Sequence, residues 1–151
     1  MFAILFALVV FSGGARAFAQ GDWAANSFYI ELFGVGLFYS INYEYRLNPW
    51  LGLGLGATQW EIGLWGITTE VIGLFGHLRV LLGGLSAHHL ETGISGGALM
   101  SGSTSLPLLT PVFGYRFQPA EGGLLFRLTL LALFTVEGIV PFFGVSLGGS
   151  F

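Results

Sequence analysis

Tyr39-Ser-Ile-Asn-Tyr-Glu-Tyr-Arg-Leu-Asn-Pro-Trp-Leu-Gly-Leu-Gly-Leu-Gly-Ala57 reads as two strands joined by a turn. Tyr39, Ile41, Tyr43, Tyr45 and Leu47 fall on one side of the first strand, and Ser40, Asn42, Glu44 and Arg46 on the other. Past the turn pair Asn48-Pro49, leucines at 51, 53 and 55 alternate with Gly52, Gly54 and Gly56. A period of two is the strand signal, and a helix would resist glycine at this density. Folding the segment about Asn48–Pro49 sets Arg46 opposite Gly52, Glu44 opposite Gly54 and Asn42 opposite Gly56. Large polar residues thus meet glycines on one face, while the other face is aromatic and aliphatic. An apolar outside around a size-matched polar inside is what a small closed barrel in an apolar solvent requires.

The composition agrees. Apolar residues make up 54% of the 151-residue chain and charged residues 9%, against about 25% charged in a soluble domain. Only helices or closed barrels satisfy their backbone in a bilayer. Pro141-Phe-Phe-Gly-Val-Ser-Leu-Gly-Gly-Ser-Phe151 repeats the alternation, with Val145, Leu147 and Phe151 on one side and Gly144, Ser146, Gly148 and Ser150 on the other. A strand of this kind ending on an aromatic is typical of bacterial outer-membrane barrels. Leu124 to Phe143 is long and apolar enough to be scored as a membrane helix, but it contains Arg127 and Glu137, and charge at that depth is costly. Read as a strand, it turns Phe126, Leu128, Leu130 and Ala132 outward and Arg127, Thr129 and Leu131 inward.

Met1 to Phe11 is an apolar run, followed by Ala17-Phe-Ala19, a small-x-small cleavage pattern. The run is too short to span roughly 30 Å of hydrocarbon as a helix. Residues 1–19 are therefore expected to be a cleaved signal peptide and 20–151 the barrel, starting at Gln20. The chain has no cysteine, which excludes a lipoprotein anchor. It has no lysine and a formal charge of −3, so the basic footprint of a nucleic-acid binder is missing.

Eight strands are expected, near Ser27–Phe33, Leu37–Leu47, Trp50–Trp60, Thr69–Leu82, His88–Leu99, Leu108–Gln118, Gly123–Leu133 and Pro141–Phe151. The fold class is all-β, a transmembrane antiparallel barrel of the smallest common size. Whether Ser27–Leu47 is two strands or one kinked strand stays open, and an even count favours two. Tight turns near Asn48–Pro49, Gly83–Ala87 and Gln118–Gly123 read as periplasmic. Gly34–Gly36, Glu61–Thr68, Met100–Pro107 and Phe134–Val140 read as short extracellular loops.

The inward phase collects Glu31, Glu44, Arg46, His77, Arg79, His89, Glu91, Arg116 and Arg127. These nine are expected to form a structural polar network filling the lumen, since buried charges persist only when paired. A hairpin centred on Leu85 pairs Arg79 with Glu91. Aromatic belts are expected from Trp23, Tyr43, Tyr45, Trp50, Tyr115 and Phe151 at one end, and from Trp60 and Trp65 at the other.

Several motifs carry a resemblance: Tyr39-x-x-Asn-Tyr-x-Tyr-Arg-Leu-Asn-Pro, His88-His-Leu-Glu-Thr-Gly93, Gly114-Tyr-Arg-Phe-Gln-Pro119, Gly122-Gly-Leu-Leu-Phe-Arg127 and the final Gly-x-Ser-x-Gly-x-Ser-Phe. Together they resemble a group of small outer-membrane β-barrel proteins of Gram-negative bacteria and, more distantly, eight-stranded barrels of the OmpA/OmpX type. The resemblance implies fold and outer-membrane location and supplies no activity.

Ser86, His88, His89 and Glu91 invite a hydrolytic reading, but the cluster starts a rising strand at the periplasmic end, away from the outer leaflet. His77 and His89 lack a third ligand at metal spacing. Gly52-x-Gly-x-Gly56 has no helix behind it and is not a nucleotide loop. Trp60 and Trp65 could stack on carbohydrate, though interface belts account for them. No catalytic residue, cofactor or metal is expected. The expected role is structural and envelope-associated, with adhesion module, narrow conduit and lipid-modifying enzyme as alternatives in that order. Expected partners are outer-membrane lipid and, through the strand ending at Phe151, the outer-membrane assembly machinery; the oligomeric state is open, with a monomer favoured.

Overall fold

The computed structural model describes residues 23–64, 67–135 and 138–151. The expected signal peptide, Trp65 and Glu137 lie outside the described residues. The strands are β1 (Asn26–Phe33), β2 (Tyr39–Asn48), β3 (Leu51–Leu64), β4 (Ile67–Leu85), β5 (His88–Ser101), β6 (Thr104–Phe117), β7 (Gly123–Thr135) and β8 (Gly138–Ser150). Each pairs antiparallel with the next and β8 closes on β1, giving a closed eight-stranded barrel. Ser27–Leu47 is therefore two strands, separated by a 3-10 turn at Gly34–Gly36.

The β2–β3 register places Arg46 against Gly52, Glu44 against Gly54 and Asn42 against Gly56, the pairing read from the turn. Sequence alternation becomes burial alternation. Ser40, Asn42 and Glu44 are buried, while Tyr43, Tyr45 and Leu47 are exposed. The outward face is a continuous apolar surface that includes Leu55, Leu74, Leu109, Leu130 and Leu147.

Three expectations need correction. The first concerns the loops at the end distal to Asn48–Pro49. β3 to β6 run 14, 19, 14 and 14 residues, well past the 9–11 or so that cross a bilayer. Glu61–Thr68, Met100–Pro107 and Phe134–Val140 mostly continue the ladders, with Glu61 opposite Glu70, Leu99 opposite Leu106 and Phe134 opposite Ile139. Tight β-connections prevail there because threonine and β-branched residues extend the strands.

The second concerns β4–β5. A bulge between Leu82 and Gly84 and a connection through Ser86, which takes a φ of 62°, shift the register, so Arg79 faces Gly93 and Glu91 faces Leu81. The expected Arg79–Glu91 pair does not form. The shift is two residues, so both side chains stay on the lumenal face.

The third concerns Trp60. It lies on the inward phase, donates its indole N–H to the Gly36 carbonyl at 3.1 Å and packs against the lumenal apolar cluster. It is a lumen residue rather than part of a belt.

The β2–β3 fit sets a stability test. A Cβ on Gly56 would meet Asn42 Oδ1 at 2.2 Å and His77 Nε2 at 2.9 Å, whereas one on Gly76 would find only the Gly96 carbonyl at 3.9 Å. Gly56→Leu is expected to cost about 1–3 kcal/mol by overpacking. Gly76→Ala should stay within about 0.5 kcal/mol of the parent. Urea titration of gel-shift folded fraction compares them.

Candidate functional site

The lumen has two compartments. Near the tight turns lies a polar layer held by the inward residues of β2 and β4 to β7. Glu44, Glu91, Arg116 and Arg127 have no solvent exposure. Arg116 and Arg127 face each other directly across β6–β7, a repulsive placement unless carboxylates flank it. Arg116 Nη1 lies 2.5 Å from Glu44 Oε1 and 3.6 Å from Glu91 Oε2. Arg127 donates from Nε at 2.9 Å and Nη2 at 2.5 Å to Glu91 Oε1. The four charges form a neutral chain Glu44–Arg116–Glu91–Arg127. The Arg127 guanidinium also covers the Tyr29 ring, 4.8 Å from its centroid.

Beside this chain runs a directional hydrogen-bond relay. Asn42 donates from Nδ2 to Ser40 Oγ at 2.9 Å, which turns its Oδ1 to His77 Nε2 at 3.0 Å. Nε2 therefore carries the imidazole proton in this network. His77 Nδ1 is left to accept from Ser95 Oγ at 3.0 Å, and Ser95 Oγ accepts from Arg79 Nη2 at 2.8 Å. Arg79 also donates to the Ile94 carbonyl at 3.0 Å. Proton donation thus runs one way, Arg79 to Ser95 to His77 to Asn42 to Ser40.

The remaining expected residues sit at the margins. Arg46 Nη2 donates to the Pro49 carbonyl at the turn. His89 is half-buried on β5, opposite Arg116. Glu31 is buried at the other edge of the polar layer, where it accepts from the Val35 backbone N–H and faces Thr129 Oγ1 at 3.5 Å. All nine residues are on β-strand faces turned to the lumen, but only six of them, Glu44, Glu91, Arg116, Arg127, His77 and Arg79, enter the two chains just described.

Sequence reasoning did not single out Ser95, which joins Arg79 to His77. Ser86 and His88 are apart from this network: Ser86 is in a turn, and His88 is exposed with its Nδ1 2.6 Å from Tyr115 Oη in the outward aromatic girdle. Among the described residues, no group of His, Asp and Glu could hold a metal ion.

The second compartment is apolar. Val35, at the tip of the Gly34–Gly36 turn, is buried and packs with Val71, Phe75, Leu99, Val112, Leu131 and Leu133. The turn is thus folded into the barrel. Phe33 and Leu37 bracket it at φ 62° and 68°, a costly conformation for non-glycine residues that the seating of Val35 offsets. The two layers occupy successive levels of the interior, where an eight-stranded barrel has room for little more than its own side chains.

Ser95, His77 and Asn42 stand in the order of nucleophile, base and orienting amide. Ser95 is fully buried and its Oγ already receives a guanidinium N–H, which draws electron density away from a would-be nucleophile.

The fold has clear counterparts among solved structures. The attachment invasion locus protein Ail of Yersinia pestis, in a phospholipid bilayer nanodisc, aligns with TM-score 0.53 at 15% identity over 83% of this chain and 98% of that one. The N-terminal β-barrel domain of Pseudomonas aeruginosa OprF aligns with TM-score 0.52 at 12% identity over 83% and 94%. The crystal structure of Ail gives TM-score 0.50 at 15% identity over 83% and 97%. The sequence matches no protein-family profile and no curated protein. At these identities the likeness establishes the architecture, an eight-stranded barrel of the kind found in outer-membrane proteins.

The ion chain gives a direct test. Glu91→Ala leaves two buried guanidinium groups short of a carboxylate and is expected to cost roughly 3–5 kcal/mol. Arg79→Met should lose less, because Arg79 has no direct carboxylate contact here. Glu91→Ala combined with Arg127→Met should recover part of the loss. Equal urea midpoints for Glu91→Ala and Arg79→Met would contradict the Glu91–Arg127 assignment.

Proposed function

We propose that this protein is a small integral barrel of a Gram-negative outer membrane with a structural, envelope-associated role and no catalytic site. The observation that carries the reading is what lines the interior: a neutral buried ion chain below and the Val35-capped apolar cluster above. The apolar outer wall supports bilayer residence, and the exposed ring of Tyr43, Tyr45 and Trp50 supports an interface at the turn end. In this reading Met1–Ala19 is removed on export, outer-membrane lipid is the principal partner, and the strand ending at Phe151 is the segment handed to the assembly machinery. The nine lumenal residues act as a structural polar network.

One observation favours a second reading. Ser95, His77 and Asn42 have the spacing of a hydrolytic relay, and would serve a lipid-modifying enzyme if the lumen admitted substrate.

Purified protein in planar bilayers is expected to give no stable single-channel current, and its intact mass should correspond to a chain starting at Gln20. Steady unitary currents would replace the structural reading with a conduit, and retention of Met1 would remove the leader assignment. Lipid extracts from cells overproducing the parent and Ser95→Ala proteins should be identical; a modified lipid seen only with the parent would select the enzyme.

A further inference from the structure

The barrel wall is not uniformly sealed. β5 and β6 pair along their whole length, from His88–Phe117 to Ser101–Thr104, and β7 and β8 pair from Gly123–Ser150 to Thr135–Gly138. Between β6 and β7 the pairing runs only from Phe117–Phe126 to Val112–Leu131. Both strands continue beyond that point, β6 to Thr104 and β7 to Thr135. The wall therefore carries a seam, open on the side of the apolar compartment.

The cause is in the sequence. Thr92 Oγ1 donates to the Val112 carbonyl at 3.1 Å, so that carbonyl points to β5. Amide direction alternates along an antiparallel strand, so positions 111, 109 and 107 point to β7. Two of these are Pro111 and Pro107, which have no N–H to give. The ladder stops where its next donor would be Pro111. Prolines on an edge also block the addition of another strand, which disfavours a second copy of the chain as occupant.

What surrounds the seam is apolar. A groove of about 350 Å³ at the split is lined by Pro111, Val112, Phe113, Leu130, Leu131 and Ala132, with Thr92. Thr92 spends its hydroxyl proton within the groove, on Val112. A second groove of about 340 Å³ continues it along the outer wall and shares Phe113 and Leu130. Val112 and Leu131 also belong to the lumenal cluster on which Trp60 packs. The groove and the apolar lumen thus share these two residues.

We infer that the β6–β7 seam is a lateral binding site for one hydrocarbon chain of a membrane lipid, which lies in the groove and reaches the lumenal cluster between Pro111 and Ala132. A hydrocarbon chain needs no hydrogen bond from a proline edge and matches the lining. A polar ligand or a peptide strand would find few partners there. The inference rests on the bilayer location proposed above.

The test uses full-length protein in phosphatidylcholine vesicles whose acyl chains carry bromine, a contact quencher of indole fluorescence. One variant keeps Trp60 as its sole tryptophan and another keeps the outward-facing Trp50. In the Trp60 variant, Leu109→Cys and Phe134→Cys add the only cysteines and would face each other if the ladder ran on. Trp60 is expected to be quenched with the cysteines reduced, to lose that quenching when they are oxidised, and to regain it with reductant. Pro107→Val with Pro111→Val, which restores two N–H groups, should lower the quenching without any disulfide.

Quenching of Trp60 that is absent, or unchanged by both the disulfide and the proline replacements, overturns the site. Trp50 separates the two levels of the argument: if Trp50 also escapes quenching, the bilayer location itself fails. Intermolecular disulfide dimers formed readily by Leu109→Cys alone would assign the seam to a second copy of the chain and also overturn the lipid site.

Discussion

Arg116 and Arg127 stand face to face on neighbouring strands with no exposure to solvent, and the barrel is organised about making that tolerable. Coulomb repulsion at such a distance grows severalfold as the effective dielectric falls from that of water. Glu44 reaches Arg116 from the opposite wall, and Glu91 bridges both arginines. β2, β5, β6 and β7 must therefore hold their relative registers together. A buried ion network of this kind adds little net stability compared with apolar packing. Its effect is on specificity. A one-residue slip in any of the four strands would turn a charge into the apolar outer face, at a cost no compact alternative could recover.

The same logic explains what could be read from the sequence. Alternation fixed the faces, and with them the lumenal placement of Glu31, Glu44, Arg46, His77, Arg79, His89, Glu91, Arg116 and Arg127. Register was legible only where size complementarity supplied a second constraint. In the Tyr39–Ala57 hairpin three polar side chains could fit only against three glycines, and the turn followed. No such constraint marks the β4–β5 connection. The bulge at Leu82–Gly84 and the connection through Ser86 together move the pairing by two and leave the faces unchanged. A turn centred on Leu85 sets Ser95 opposite Phe75, whereas the structure sets it opposite His77. The Arg79–Ser95–His77–Asn42 relay was hidden for that reason. Partners across the lumen, such as Glu44 with Arg116, 72 residues apart, follow from barrel closure and leave no trace in local sequence.

The distal end was the least legible part. Glycine-containing stretches there read as loops because turn residues and strand residues were mixed. Strand pairing prevailed once a neighbour was available, as propensity often yields to context in sheets. The inward seating of Val35 was not visible either. It depends on a space above Glu31 that only the assembled wall creates.

Closure between β1 and β8 has a kinetic consequence. Asn26 and Phe151 exchange reciprocal backbone hydrogen bonds at 2.8 and 2.9 Å, across nearly the whole described chain. Hairpins such as β2–β3 can form from contacts a few residues apart, whereas this ladder must wait for the loop-closure entropy of all the strands between. Topologies dominated by such distant pairings cross their folding barrier slowly. The Glu44–Arg116 contact belongs to the same late class. Desolvation of Arg116 beside Glu44 therefore depends on the same long-range closure as the β1–β8 ladder.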